Sequence, residues 1–273
     1  MLKIKVKTQI MNFKRPFILS VSLAIFIIVG CNTKPNANKK EVNEQNHLTQ
    51  LEKEQGWELL FDGKTFNNWR GLGRETVQPD HWKVENGTIR KLNNEEVLKA
   101  TGEKIDGGDL MTIETFDNFE LSFEWKIKKD GNSGIKYNVS EEISTTYGGK
   151  HSALGFEYQI LDDNSEKYKG KLKPSQYTAG LYEMYAAENV EMNPIGEFNK
   201  SRILLNGNHG EHWLNGIKVL EYEFATAKFD SLFQLSKYAK YPEFERKRKG
   251  HIVITNHSDD SWYRNIKIRR ISE

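Results

Sequence analysis

The 273-residue sequence predicts an all-β fold, a sandwich of two antiparallel sheets, and three observations carry that expectation. Apolar residues alternate with a period of two along several stretches, as half-buried strands require. The pairs Asn86-Gly87 and Asn215-Gly216 each stand between two such stretches, where a tight hairpin needs positive φ at both central positions. No long amphipathic helical pattern interrupts them. With 37% hydrophobic, 11% aromatic and 29% charged residues, the chain can bury a sizeable core and lies outside the disordered class.

At the amino terminus, Lys3, Lys5, Lys7, Lys14 and Arg15 precede the apolar run 17–29, which is shorter than the roughly 20 residues of a membrane span. Residues 1–30 therefore read as a signal peptide. The run ends Ile28-Val29-Gly30-Cys31, a lipobox-like spacing that assigns Cys31 to lipidation and the chain to the bacterial envelope, exported and lipid-anchored in the outer membrane or facing the periplasm. Residues 31–54 read as the lipidated cysteine and a polar tether, with a capping-box turn at Thr49 and Glu52 near its end. Without the five basic residues of the first 30, the chain holds 35 basic and 38 acidic side chains, so nucleic acid is not an expected partner. Cys31 is the single cysteine, which excludes an internal disulfide and thiolate metal clusters within one chain.

Residues 55–273 read as one domain with a single core. In 119–127, Phe119, Leu121, Phe123, Trp125 and Ile127 share one face, and Glu120, Ser122, Glu124 and Lys126 share the other. Asp130-Gly131 turns the chain into 135–139, where Ile135, Tyr137 and Val139 oppose Lys136 and Asn138. In 156–160, Phe156, Tyr158 and Ile160 oppose Glu157 and Gln159; near the end, Ile252 and Ile254 oppose Val253, Thr255 and His257. The lysine-rich stretches 165–175 and 237–249 read as solvated insertions.

The polar faces of these strands assemble the candidate chemistry: Glu124, Lys136, Glu157 and Gln159, provided the strands are neighbours. The segment 157–162 resembles the acid-nucleophile strand of laminarinase-like glycosidases, but Gln159 stands between Glu157 and Asp162 where a second carboxylate would be needed. His209 and His212 flank Gly210-Glu211 on a strand and not on a helix, so they lack the zinc-protease geometry. His257 is a candidate proton shuttle, and Trp262 a candidate sugar platform.

Several blocks in fixed order carry a resemblance to the 3-keto-disaccharide hydrolase family. They are Gly56-Trp57 with 60–64 and Trp69, 119–126 with Gly131-Asn132-Ser133-Gly134, then 155–162, 211–216 and 262–266. The chain departs from the family at Ile254-Thr255-Asn256-His257-Ser258, which keeps the histidine but not the usual glutamine and carboxylate, and at 179–183, which is one residue shorter. The resemblance implies a concanavalin A-like jelly roll and cleavage of 3-keto-glycosides. A ketone at C3 acidifies the C2 hydrogen, so a base can remove it, the C1 substituent leaves by β-elimination, and water adds. On this reading Glu124 or Glu157 is the base, Lys136 or a bound divalent cation stabilises the enolate, and His257 is the acid. Gln159, Asp162, Tyr182 and Trp262 bind the carbohydrate substrate. A lectin-like glycan-binding lipoprotein and an ordinary sandwich glycosidase are the alternatives.

The lipobox spacing is tested with Cys31→Ala, which is expected to abolish labelling by a palmitate analogue and normal lipoprotein processing. Labelling that persists in the variant contradicts the assignment.

Overall fold

The computed structural model describes residues 45–271, so the expected signal peptide over 1–30 and the expected lipidation at Cys31 lie outside the described residues. The strands, in chain order, are β1 (Trp57–Leu59), β2 (Trp69–Gly71), β3 (Trp82–Glu85), β4 (Thr88–Lys91), β5 (Leu110–Thr112), β6 (Phe119–Ile127) and β7 (Asn132–Val139). They continue with β8 (Phe156–Leu161), β9 (Asn199–Asn206), β10 (His209–Leu214), β11 (Ile217–Glu223), β12 (His251–Ile254) and β13 (Ser261–Arg270). The larger sheet has the order β11-β10-β9-β6-β13-β4-β3, with β1 also paired to β13; the smaller has the order β2-β5-β12-β7-β8. Pairing is antiparallel throughout both. This is the two-sheet sandwich that the alternation predicts. No helix of the described residues is long and apolar enough to cross a membrane.

Between the sheets lies the main core, to which β6 contributes Phe119, Leu121, Phe123, Trp125 and Ile127, and β8 contributes Phe156, Tyr158 and Ile160. Both Asn-Gly turns form with positive φ at each residue, 50° and 71° at Asn86 and Gly87, 47° and 89° at Asn215 and Gly216. The polar groups carried into the core are bonded across it. The Trp125 indole N–H donates to Ser201 Oγ at 2.8 Å, and Tyr158 Oη lies 2.8 Å from the same oxygen. His212, fully buried, stands with Nδ1 2.8 Å from the Ala179 carbonyl and Nε2 2.9 Å from Tyr137 Oη. A carbonyl can only accept, so Nδ1 carries the proton and Nε2 accepts from the tyrosine.

Three expectations are corrected here. The folded part starts earlier than residue 55: Thr49 caps the helix Gln50–Glu54, and Asn46 exchanges hydrogen bonds of 2.6 and 2.9 Å with Asn265. The stretch 237–249 is not a solvated insertion, because Tyr238 and Phe244 are 3% and 1% exposed and belong to the main core. Lys237, Lys240, Lys247 and Lys249 are exposed, while the apolar residues between them pack. Finally, there is a second, smaller apolar cluster of Leu72, Met111, Val139, Ala153 and Val253. Val139 joins it because β7 carries an extra residue opposite β12, with Asn138 at φ 55°, and the bulge turns Val139 away from Tyr137.

Burial lowers the His212 imidazole from 6.5 to about 4. Between those values the unfolded chain binds the proton and the folded chain does not, so His212 costs stability as pH falls from about 6.5 towards 4, by at most about 3 kcal/mol. Urea unfolding at pH 7 and pH 4.5 is expected to show this loss, and His212→Gln, weaker at pH 7, is expected to show a shallower decline. Equal declines in the two proteins contradict the assignment.

Candidate active site

Register across the smaller sheet builds the site from single residues. Arg70, Met111, Val253, Lys136 and Glu157 are successive cross-strand partners on β2, β5, β12, β7 and β8. Directly opposed residues share a face, so this row points away from the main core. The loop following β7 covers its middle through the second apolar cluster, and its end at the β8 edge is charged. One step along, Gly134 pairs with Gln159, and the Thr255 N–H donates to the Gly134 carbonyl at 3.0 Å. Lys136, Glu157 and Gln159 therefore lie together on one face, as their spacing in the sequence suggests.

Glu157 is 4% exposed, and its side chain crosses the neighbouring strand over Gly134. A Cβ built on Gly134 would overlap Oε1 of Glu157 and stand 3.1 Å from its Cδ, so the glycine is what admits the carboxylate there. Opposite, the Lys136 ammonium donates to the Ala153 carbonyl at 2.9 Å. Gln159 is anchored by a 3.0 Å bond from Nε2 to Asn132 Oδ1.

Asp109 organises this region, and the sequence offered no motif for it. Its Oδ2 accepts from the Ala153 N–H at 2.8 Å and its Oδ1 from the Asn256 N–H at 2.7 Å, which joins the loop that holds Lys136 to the loop that carries His257. Burial raises its pKa, opposed by the Lys136 ammonium and by the two N–H donors. Burial also pushes the His257 imidazole down to about 4, with the Lys136 charge acting in the same direction and Asp109 against it. His257 is consequently a neutral imidazole at neutral pH.

A short segment closes the β8 edge. The Tyr182 N–H donates to the Glu157 carbonyl at 3.0 Å, and the Ala179 N–H to the Gln159 carbonyl at 2.9 Å. Tyr182 Oη accepts from Gln176 Nε2 at 3.2 Å, and Lys237 Nζ sits 4.3 Å above the Tyr182 ring. Burial raises the Tyr182 phenol and, more strongly, that of Tyr238, and the negative charge of Glu157 adds to both. Tyr238 Oη, Thr255 Oγ1 and Asn256 Oδ1 are buried with no hydrogen-bond partner among the described residues. Tyr238 was missed because the lysines around it make 237–249 look like a solvated loop.

The remaining candidates lie elsewhere. Glu124 faces outward from the larger sheet, where it accepts from Arg264 Nε at 2.7 Å and Asn265 Nδ2 at 2.8 Å; it does not join Glu157. Alternation identifies it as outward-facing, but its strand belongs to the other sheet. Trp262 is on that same outer face, with Lys126, Arg90 and Lys128 at 4.9, 5.4 and 5.7 Å from its ring centroid, so it is no platform beside Glu157. Asp162 spends Oδ2 on the Asp130 N–H at 2.9 Å and closes a turn. Among the described residues, convergent His and carboxylate ligand atoms occur at His209, Glu211 and Glu221, again on the larger sheet, and Lys218 already bonds both glutamates. On the Glu157 face the cations are Lys136, its cross-strand partner, and Lys237, whose ammonium feels the Glu157 charge.

Comparison with known proteins agrees with this architecture. The chain is 34% identical over 284 residues to a 3-keto-disaccharide hydrolase of Bacteroides thetaiotaomicron, covering 92% of this chain and 97% of the relative. A crystal structure from Parabacteroides distasonis, provisionally assigned to the glycosyl hydrolases, superposes with a TM-score of 0.71 at 30% identity, covering 84% of this chain and 100% of that one. A second from the same organism, at 24% identity and a TM-score of 0.54 over 75% of this chain and 100% of that one, shares the fold. Residues 56–269 match the family described as the 3-keto-alpha-glucoside-1,2-lyase-like domain, and the chain belongs to that family.

Proposed function

We propose that this enzyme hydrolyses 3-keto-disaccharides by elimination and hydration, with Glu157 as the base. The observation that carries the mechanism is a buried carboxylate with an ammonium-bearing residue as its cross-strand partner and an amide two residues along its own strand. Retaining glycosidases need a second carboxylate about 5 Å away and inverting ones a second at about 6.5–9.5 Å. On this face Gln159 occupies the position along the strand, and Glu124 is on the other sheet. The 34% identical relative, a 3-keto-disaccharide hydrolase, supports the substrate class.

In the first step Glu157 takes the C2 proton, and the C2–H electron pair moves into an enolate whose oxygen, at C3, lies towards the Lys136 ammonium. The enolate then collapses: the C3 carbonyl re-forms, a C1=C2 double bond appears, and the C1–O bond breaks with its electrons on the leaving oxygen. A neutral His257 ring N–H hydrogen-bonds that oxygen, which takes its proton from solvent, because an imidazole near pKa 4 holds almost no extra proton at pH 7. Water next adds its oxygen to C1 and releases a proton to solvent, replacing the one the leaving oxygen took; Glu157, its proton exchanged with water, returns a proton to C2, so the net reaction is hydrolysis. Tyr182, whose backbone is bonded to that of Glu157, borders the sugar, and the motif at Cys31 assigns the reaction to the cell envelope.

Substrate deuterated at C2 is expected to lose its label to water during turnover, whereas direct displacement at C1 leaves it in place; full retention in the product would falsify elimination. Glu157→Gln is expected to lower the rate by about two to four orders of magnitude, while Glu124→Gln leaves it within a small factor. Gly134→Ala is expected to push the Glu157 side chain aside and lower kcat by at least about tenfold, since catalytic groups tolerate little misplacement. Unchanged kcat in Gly134→Ala, with a normal circular dichroism spectrum, contradicts the position given to Glu157.

A further inference from the structure

The outer face of the larger sheet carries a groove of about 470 Å³ that the reaction does not use. Trp57 on β1 stands at one end and Trp213 on β10 at the other. Four strand intervals, from β1 through β13, β6 and β9 to β10, separate them; at about 4.8 Å each this is about 19 Å. Ser122, 5% exposed, lies in the floor between them. The helix Gln50–Glu54 supplies Glu52 to one wall, and the Asn215-Gly216 turn supplies Gly216 to the other.

Both carboxylates that line the groove are paired, and Lys200 adds a further positive charge to the lining. Glu120 accepts from Arg202 at 2.6 Å and from Arg269 Nε at 2.7 Å, and Glu52 pairs with Lys267. The same cations hold the rings in place: the Arg202 guanidinium lies 3.9 Å from the centroid of Trp213, and Arg269 and Lys267 lie 5.3 and 5.7 Å from that of Trp57. The Trp213 indole N–H donates to Glu211 at 2.7 Å. We propose that this groove binds an unoxidised oligosaccharide. Its hydroxyls both donate and accept, which suits a floor where carboxylate acceptors alternate with guanidinium and ammonium donors without a large net charge. Its C–H faces suit the flat apolar surface of indole rings. A nucleic acid backbone would meet Glu52 and Glu120, and an apolar peptide or lipid would strip water from the charged floor without replacing its hydrogen bonds. The span favours a chain of several sugars over a disaccharide. The site lies on the opposite sheet from Glu157, so it would hold the protein on a glycan and leave the reaction site free.

Titration calorimetry of the chain with cello-, laminari- and maltohexaose, and with the matching disaccharides, tests this. Saturable binding of at least one hexasaccharide, with its disaccharide much weaker, is expected. Trp57→Ala and Trp213→Ala are each expected to weaken that binding about tenfold, the scale of losing one aromatic face, with kcat/KM on a soluble 3-keto-disaccharide unchanged. Ser122→Gln, which fills the floor and keeps both rings, is expected to weaken it as well, and Glu157→Gln to leave it intact. Absence of binding by all three hexasaccharides overturns the proposal. So does binding that survives the three groove substitutions and disappears in Glu157→Gln, which would place the glycan at the reaction site.

Discussion

One buried carboxylate holds the reactive face in shape. Asp109 takes no part in the proposed chemistry, yet its two oxygens accept backbone N–H groups from residues 44 and 147 positions further along the chain. Leaving either donor unpaired in the interior costs on the order of 1–3 kcal/mol, so the two loops are bound to a common point. The first loop presents the Ala153 carbonyl that fixes the Lys136 ammonium, and the second presents His257. In return, Lys136 and the two N–H donors oppose the burial that would neutralise Asp109. The carboxylate, the ammonium and the imidazole form one electrostatic unit, in which altering any member changes the surroundings of the other two.

That unit sits on only one of the two sheets, and this marks how far the sequence can be read. The alternation in 119–127 gives the strand with its observed ends, and that in 156–160 places Glu157 and Gln159 away from the core as found. Period-two patterning separates the inside of a sheet from its outside but carries no information about which sheet a strand joins. Glu124 and Glu157 therefore look equivalent in sequence, although Arg264 and Asn265 hold the first on the far side of the sandwich. Val139 departs from the alternation because a bulge adds one residue to β7, which shows in the register against β12 and in the positive φ at Asn138 and not in the residue pattern. Asp109 left no trace because backbone N–H groups are its partners, and every residue but proline has one.

Membership of the family and the physical character of the site bear on the same chemistry from different directions. A displacement mechanism needs two carboxylates divided between nucleophile and acid. Here the Asp109 carboxylate is committed to two backbone N–H groups, which leaves Glu157 with the Lys136 ammonium and an uncharged His257 imidazole, a set suited to taking a proton from carbon and stabilising the negative charge that results. Glu157 itself is buried, and there each interaction counts for more than it would in water.

The clasp between Asn46 and Asn265 has a mechanical consequence. Each backbone N–H bonds the other side chain, and Asn46 Nδ2 also reaches the Gly87 carbonyl at 2.8 Å, so the first of the described residues are fastened to the middle of β13 and to the β3–β4 turn at once. β13 is the longest strand and has β6 along one side, with β1 and β4 sharing the other. A pull on the amino-terminal end is therefore delivered to the centre of the larger sheet, where several hydrogen bonds must yield together, and not to a free edge that could unzip one bond at a time. Domains loaded in that way resist force well.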